Sequence, residues 1–546
     1  MSQKMNSIVA VLAIILLGIG GLFIAAGMFS FFSSITTTTT TTTDTSTTET
    51  TTTTTTNTTT TTTTTTIIEE PKILTILTRH DIAVQSVFTD AFLSLPYAIE
   101  NNIIEIVWRA QSDEFWDDLI LADEIDICWG GGVTLFDWLM QEGLLSPMNS
   151  TLMQEVESRV PDTIAGASMQ GNNTLEQLVW IASKISSYGF MVNHAFLDDY
   201  SLPVPYYWEN LSSPIYGQNL PTIPTIAMGN APYTTSHAMI YHTTLQLMGW
   251  EAGWTHLTRM AGNAQICGGS VEAQTLVQNG DRGIVPCIDF YGFLSQFQNP
   301  DCEYIIPQDG TIIEGDPIAI AGSTVQKDLA EGFIDFVLSP YGQSLWLDED
   351  LLRLPVLREA FDEPGASGKE YLYTIYNQTI ESTSFVVNQT QFSSLSISVM
   401  NYFESVLTDS FTEQQDCWNT MVELYFDGNI TLDELDLYAA EMAELMIIAD
   451  PKTTLDEQFT LEYAIAINND LMNDAVYANT VQTRWTTAAK IQYIQVRSDL
   501  LALYSMYDSQ SVIGWAFIES FGGLVLGIIG TGGFVAIALI RPKHYQ

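Results

Sequence analysis

IDICWGGGVTLFDWLMQ, residues 125–141, sets the pattern of the chain: five apolar-rich residues, three glycines, then a helix-forming run. Ile125–Trp129 is short, apolar and rich in strand formers, so it reads as a buried strand. Leu135–Gln141 repeats its apolar residues at helical spacing, and Gly130-Gly131-Gly132 is the turn between the two. The same unit occurs upstream. Ile73–Leu77 is a strand before a helix over Ala83–Leu93, and Ile103–Trp108 a strand before a helix around Phe115–Leu121. Strands alternating with helices at this spacing predict an α/β fold with a parallel sheet covered on both faces. Ligands in such sheets sit at the carboxyl ends of the strands. The loops that follow these strands are therefore the candidate site: Thr78-Arg79-His80-Asp81 and Trp129-Gly130-Gly131-Gly132.

Working outward, a second α/β run covers about 179–308, with strands expected near Phe190, Thr225–Met228, Gly283–Phe290 and Tyr304–Ile306. NAPYTTSHAM (Asn230–Met239) places Tyr233, Thr234, Thr235 and Ser236 before a helix. A helix N-terminus offers unpaired N–H donors to an anion; the plain alternative is ordinary capping by Thr or Ser. Tyr188, Asp289 and Tyr291 complete the candidates, the tyrosines as aromatic walls. Past about residue 370 long amphipathic helices replace the strands, among them Leu432–Ile448 and Trp485–Tyr507.

Composition narrows the function. With 18 basic against 64 acidic residues the formal net charge is −46, and no basic stripe interrupts it. Phosphate-backbone binding needs clustered Lys and Arg, so nucleic acid is excluded as a partner. The glycine triplet lacks dinucleotide spacing and a Walker lysine, and no nucleophile or zinc motif occurs. A binding protein without catalysis or cofactor is expected.

The ends differ from the middle. Residues 1–35 hold an uncharged stretch, Ile8–Ile35, long enough to span a ~30 Å hydrocarbon core. It reads as a transmembrane anchor or as a signal segment. Residues 36–66 are almost pure Thr, a composition that cannot form a core and suits a glycosylated stalk. Residues 513–540 read as a C-terminal transmembrane helix, and Arg541-Pro542-Lys543-His544 after it marks the cytoplasmic side. The acidic middle is then extracellular and membrane-anchored. Acceptor sequons at Asn57, Asn149, Asn172, Asn210, Asn377, Asn388 and Asn429 agree with that placement. An oxidising exterior allows disulfides, with Cys287–Cys302 the favoured pair; the alternative is five small buried hydrophobes.

Four segments, in order, resemble the type 2 periplasmic binding proteins, the solute-binding subunits of ABC importers, and their branch of ferric-ion, thiamine and small-anion binders. They are ILTILTRHD (Ile73–Asp81), DICWGGGVTLFDWLMQEGLLSP (Asp126–Pro147), YGFMVN with VPYYWENLSSPIYG (Tyr188–Asn193, Val204–Gly217), and GDPIAIAGSTVQKDLAEGFIDFVLSPYGQSLW (Gly315–Trp346). The resemblance implies a two-lobed Venus-flytrap fold with a helical C-terminal extension. Residues 71–178 with 309–508 would form one lobe and 179–308 the other. It implies a small-molecule or ion solute in the cleft and an ABC permease as partner. Ferric-binding relatives use adjacent tyrosines at the return crossover; here Asp289-Phe290-Tyr291 offers one, so no metal is expected. The same fold could also serve as a sensor or adhesion ectodomain, but only Arg541–Gln546 follows the last span.

Overall fold

The structure is a computed structural model that describes residues 70–525, except Asp123 and Val386. The chain lays down strands β1 (Lys72–Thr78), β2 (Ile103–Ala110), β3 (Ile127–Trp129), β4 (Leu178–Asn193), β5 (Ile226–Gly229), β6 (Ala264–Cys267), β7 (Ile284–Ile288), β8 (Cys302–Ile305) and β9 (Ile313–Ala321). Their order is β6-β5-β7-β4-β9-β3-β1-β2, with β8 also paired to β4. The sheet is mixed and not purely parallel. β1 runs parallel to β2 and β3, and β5 parallel to β6 and β7, but β4 and β9 run against their neighbours.

β4 divides the molecule into two lobes. Its first half, Ile181–Ser187, pairs with β9 in the first lobe; its second half, Tyr188–Asn193, pairs with β7 and β8 in the second. All sixteen of its residues are buried. Three segments cross the seam side by side. Tyr188 N donates to Ile312 O (3.2 Å), Thr311 N to Thr383 O (2.9 Å), and Phe385 N to Thr311 O (2.7 Å). Backbone hydrogen bonds between neighbouring crossings keep them in register.

The helices after residue 388 are built onto the second lobe, not the first as expected. One apolar cluster joins Phe190, Tyr241, Trp254 and Leu257 of that lobe to Phe403, Trp418, Phe459 and Trp485. Tyr241 stacks on Phe403 and Tyr402 on Phe459. Burial at roughly 25 cal/mol per Å² of apolar surface explains the choice, since the amphipathic faces find their apolar partners there. The extension also contains a small hairpin, Ile447–Ala449 with Asp456–Gln458, where only helices were expected. It ends in a 51-residue helix, Ala475–Val525, about 77 Å long at 1.5 Å per residue.

Cys287 and Cys302 are not bonded: all five cysteines are free and buried. Cys287 lies opposite Gly189 on one side of β4 and Cys302 opposite Asn193 on the other. Two strand spacings of about 4.8 Å separate them, beyond the ~7 Å Cα limit of a disulfide. Among the described residues no helix is long and apolar enough to cross a membrane. The first expected span and the Thr tract lie outside those residues, as does the second span beyond Val525.

Candidate functional site in the cleft

β1 and β3 deliver their loops to the same edge. Each glycine of the triplet has positive φ, +82°, +111° and +86°, which side-chain-bearing residues rarely adopt. The loop folds tightly over its neighbours: a Cβ at Gly130 would lie 2.9 Å from His80 Nε2, and one at Gly131 3.1 Å from Arg79 Cγ. Two of its backbone N–H groups are spent inside the protein. Gly130 N donates to Pro317 O (2.9 Å) and Gly131 N to Asp316 Oδ1 (3.2 Å).

Asp316 is the centre of a buried charged group. Lys184 Nζ lies 3.1 Å from its Oδ2, and His80 Nε2 lies 3.4 Å away without a proper hydrogen bond. Burial alone would raise the Asp316 carboxyl, but Lys184 chiefly outweighs it and holds it below the usual range. Burial pushes His80 down to about 3, so it is neutral. Its ring sits against Trp129 and Trp346.

Several expected cleft residues prove to be framework. Trp129 is fully buried in the aromatic core and donates its indole N–H to Ser183 Oγ (2.7 Å). Thr78 Oγ1 donates to Trp129 O and accepts from His80 N, locking the two loops together. Tyr188 gives its hydroxyl to Glu314 (3.1 Å) at the seam, and burial raises its pKa well above the ordinary value. Asp289 is buried under the second-lobe strands and accepts from Ser187 N, Ser187 Oγ and Phe290 N. Ser183, Glu314 and Ser187, which hold Trp129, Tyr188 and Asp289, lie 54, 126 and 102 residues away in sequence, beyond the reach of a local reading.

Asp81 reaches toward the second lobe through an unexpected residue, Arg353. Asp81 caps the next helix through Oδ1 and receives Arg353 Nη2 on Oδ2 at 2.6 Å. The Arg353 guanidinium lies 4.5 Å from the ring centre of Phe290, which leans on Tyr291. Its side chain is 9% exposed, and its Nε has no hydrogen-bond partner. Arg79 stands nearby and is half-buried, paired with Asp113 at 3.2 Å. On the second lobe, Tyr233 is 67% exposed. Thr234 caps the helix Thr235–Met248 through His237 N, and Ser236 Oγ meets Ser270 Oγ at 3.0 Å. The hydrogen bonds of Thr234 and Ser236 stay within the second lobe. Thr235 opens that helix.

Lys184, Asp316, Arg353, Phe290 and Ser270 were not anticipated. Two left a trace: Lys184 is the one charge in the sixteen residues of β4, and Arg353 interrupts the apolar run Leu351–Leu357. A lone charge in a buried strand needs a partner, and that is a signal of function. Among the described residues no group of three or more His, Cys, Asp or Glu side chains could hold a metal ion.

This arrangement of two lobes, three crossings and a polar cleft has relatives. Residues 118–379 match the family of bacterial extracellular solute-binding proteins. The phosphoglycerate transport regulatory protein PgtC of Salmonella typhimurium is 25% identical over 307 residues, 56% of this chain and 69% of that one. Among solved structures, the periplasmic binding protein AfuA of Actinobacillus pleuropneumoniae has 16% identity and a TM-score of 0.42, over 56% of this chain and 98% of its own. An ABC transporter structure from Clostridium perfringens has 17% identity and a TM-score of 0.47, over 61% and 99%. The matched segment takes in parts of both lobes and two of the three crossings, and over it the chain is similar to the bacterial extracellular solute-binding proteins.

Proposed function

We propose that the cleft captures a small organic anion, carrying a phosphate or carboxylate, and presents it to an ABC permease. The observation behind this reading is Arg353: a guanidinium nine-tenths buried between the lobes, with one partner and an unsatisfied Nε. Such a group accepts an oxyanion in a two-pronged grip that a neutral solute cannot match. Arg79 and the helix starting at Val133 add positive potential on the same edge. The name of the Salmonella relative, which speaks of phosphoglycerate, points the same way. The net charge of −46 does not oppose it, because charges beyond the ~8 Å screening length count little beside contacting cations.

Titration calorimetry with 3-phosphoglycerate, inorganic phosphate and glycerol tests the reading. The phosphoglycerate is expected to bind and glycerol not. Arg353→Ala should weaken binding by about 1.5–3 kcal/mol, the worth of a charge-assisted hydrogen bond. Arg353→Lys should restore little of it, since the fork geometry is lost. Asp81, left behind, is 54% exposed and water can take over its free oxygen. Unchanged affinity in Arg353→Ala would sink the proposal.

The proposal includes a tether. Apolar spans at 1–35 and 513–540 would hold the receptor at the cell surface, with the Thr tract at 36–66 as its stalk. Exposure of Asn149, Asn172, Asn388 and Asn429 supports an outward-facing glycoprotein. Asn377 is less suited, its amide donating to Tyr373 O within a helix, and Asn210 accepts from Tyr206 and Tyr207. Protease added to intact cells should digest residues 72–508; their protection would refute the tether and its orientation.

A further inference from the structure

The second lobe contains a hollow away from the cleft, made jointly with helices that lie beyond the family match. His242 and Leu245 of the helix Thr235–Met248 face it, Trp250 stands at its side, and Gln391, Leu395 and Leu461 close it. Its volume is about 190 Å³, and none of its lining side chains is charged. His242 is 1% exposed, and neither ring nitrogen has a hydrogen-bond partner. Burial lowers its pKa to about 3, opposed in part by the Ser396 main chain, which does not reach hydrogen-bond geometry. The ring is therefore neutral, with one donor and one acceptor to offer. Leaving both unmet inside a protein is unfavourable.

The neighbouring polar groups do not meet that need. Gln246 spends its amide on the Asn388 main chain in both directions, and Trp250 Nε1 donates to Phe459 O (2.8 Å). Gly249, at φ +84°, has nothing within 4 Å of where a Cβ would stand, so the wall is open there.

We propose that this hollow is a second binding site, for a small neutral aromatic ring bearing a hydroxyl, of the phenol class. A cavity of about 150 Å³ is known to hold benzene, so about 190 Å³ admits one ring with a substituent. Leucines and the indole face supply the apolar walls. A hydroxyl both donates and accepts, and so can pair with one ring nitrogen of His242 in either tautomer. An ion would find no countercharge. A sugar ring would bring more hydroxyls than His242 and Gln391 can pair, and each unmet one would weigh against binding.

The test uses the full chain with phenol, benzene and glucose, read by thermal shift and calorimetry. Phenol should raise the midpoint in proportion to log concentration. Benzene should bind about ten-fold more weakly, and glucose should leave the midpoint unchanged. His242→Phe should bring phenol down to the level of benzene. Leu461→Trp, a change at the half-buried rim, should abolish both while 3-phosphoglycerate still binds as in the parent. Absence of saturable phenol binding, equal affinity for phenol and benzene, or unchanged phenol affinity in His242→Phe would each overturn the proposal. Because phosphoglycerate is titrated separately, failure here is distinguishable from failure of the cleft reading.

Discussion

Lys184→Met is expected to lower the free energy of unfolding by about 3–5 kcal/mol, the usual effect of breaking a buried ion pair from one side. The loss comes from Asp316. With Lys184 gone, a carboxylate that is almost out of contact with water keeps Gly131 N and loses its main counterion. His80 cannot replace it, being neutral and out of hydrogen-bond geometry. Replacing both members, Lys184→Met with Asp316→Leu, should recover most of the loss. About 1 kcal/mol should remain, because Gly131 N is then left without an acceptor. Urea unfolding of the three variants decides the matter. A Lys184→Met loss below about 1 kcal/mol would mean that the pair is solvated in solution.

Asp289 should make the protein less stable as pH rises from about 4 to about 6. Burial is the main cause of its shift and pushes its pKa up to about 6, against the hydrogen bonds from Ser187 and the field of Lys184. In that window the folded state holds a proton that the unfolded chain, with an ordinary carboxyl, has released. The stabilisation is thus complete below the unfolded pKa and is lost as pH passes the folded one. Two units correspond to about 3 kcal/mol. The Asp289→Asn variant keeps an acceptor for Ser187 and lacks the titration. The difference between parent and variant stability, measured by denaturant at several pH values, should therefore slope across pH 4–6 and flatten above. A level difference would show that Asp289 does not titrate there.

The first lobe was readable because its signals are local. Ile73–Leu77 and Ile103–Trp108 are apolar runs closed by turns, and the structure extends each by a few residues only. The glycine triplet was equally visible as a loop with special backbone geometry. What it holds was not visible. Its N–H groups meet Asp316 and Pro317, more than 180 residues away, and no periodicity carries that information. Trp129 shows the same limit from the other side. Its place after a strand suggested a cleft wall, but the size of the indole and a partner at Ser183 take it into the core. The helices past residue 388 were legible as helices and not as members of a lobe. An amphipathic face states that it will be covered, and the covering surface is chosen by the rest of the fold.

The terminal helix Ala475–Val525 turns this packing into a lever. Its first turns are pinned to the second lobe by Trp485 in the core, by Tyr493 Oη on Val406 O (2.9 Å) and by Arg497 on Asp416 (3.1 Å). A lobe of some 250 residues is roughly 40–50 Å across, and the helix is about 77 Å long. It must therefore reach well past the body that carries it. Any swing of the second lobe about the three crossings moves the far end of the helix through a larger arc than the cleft itself. The state of the cleft is thereby written as a position at the end of a rod, where a neighbour in contact with the rod alone could read it.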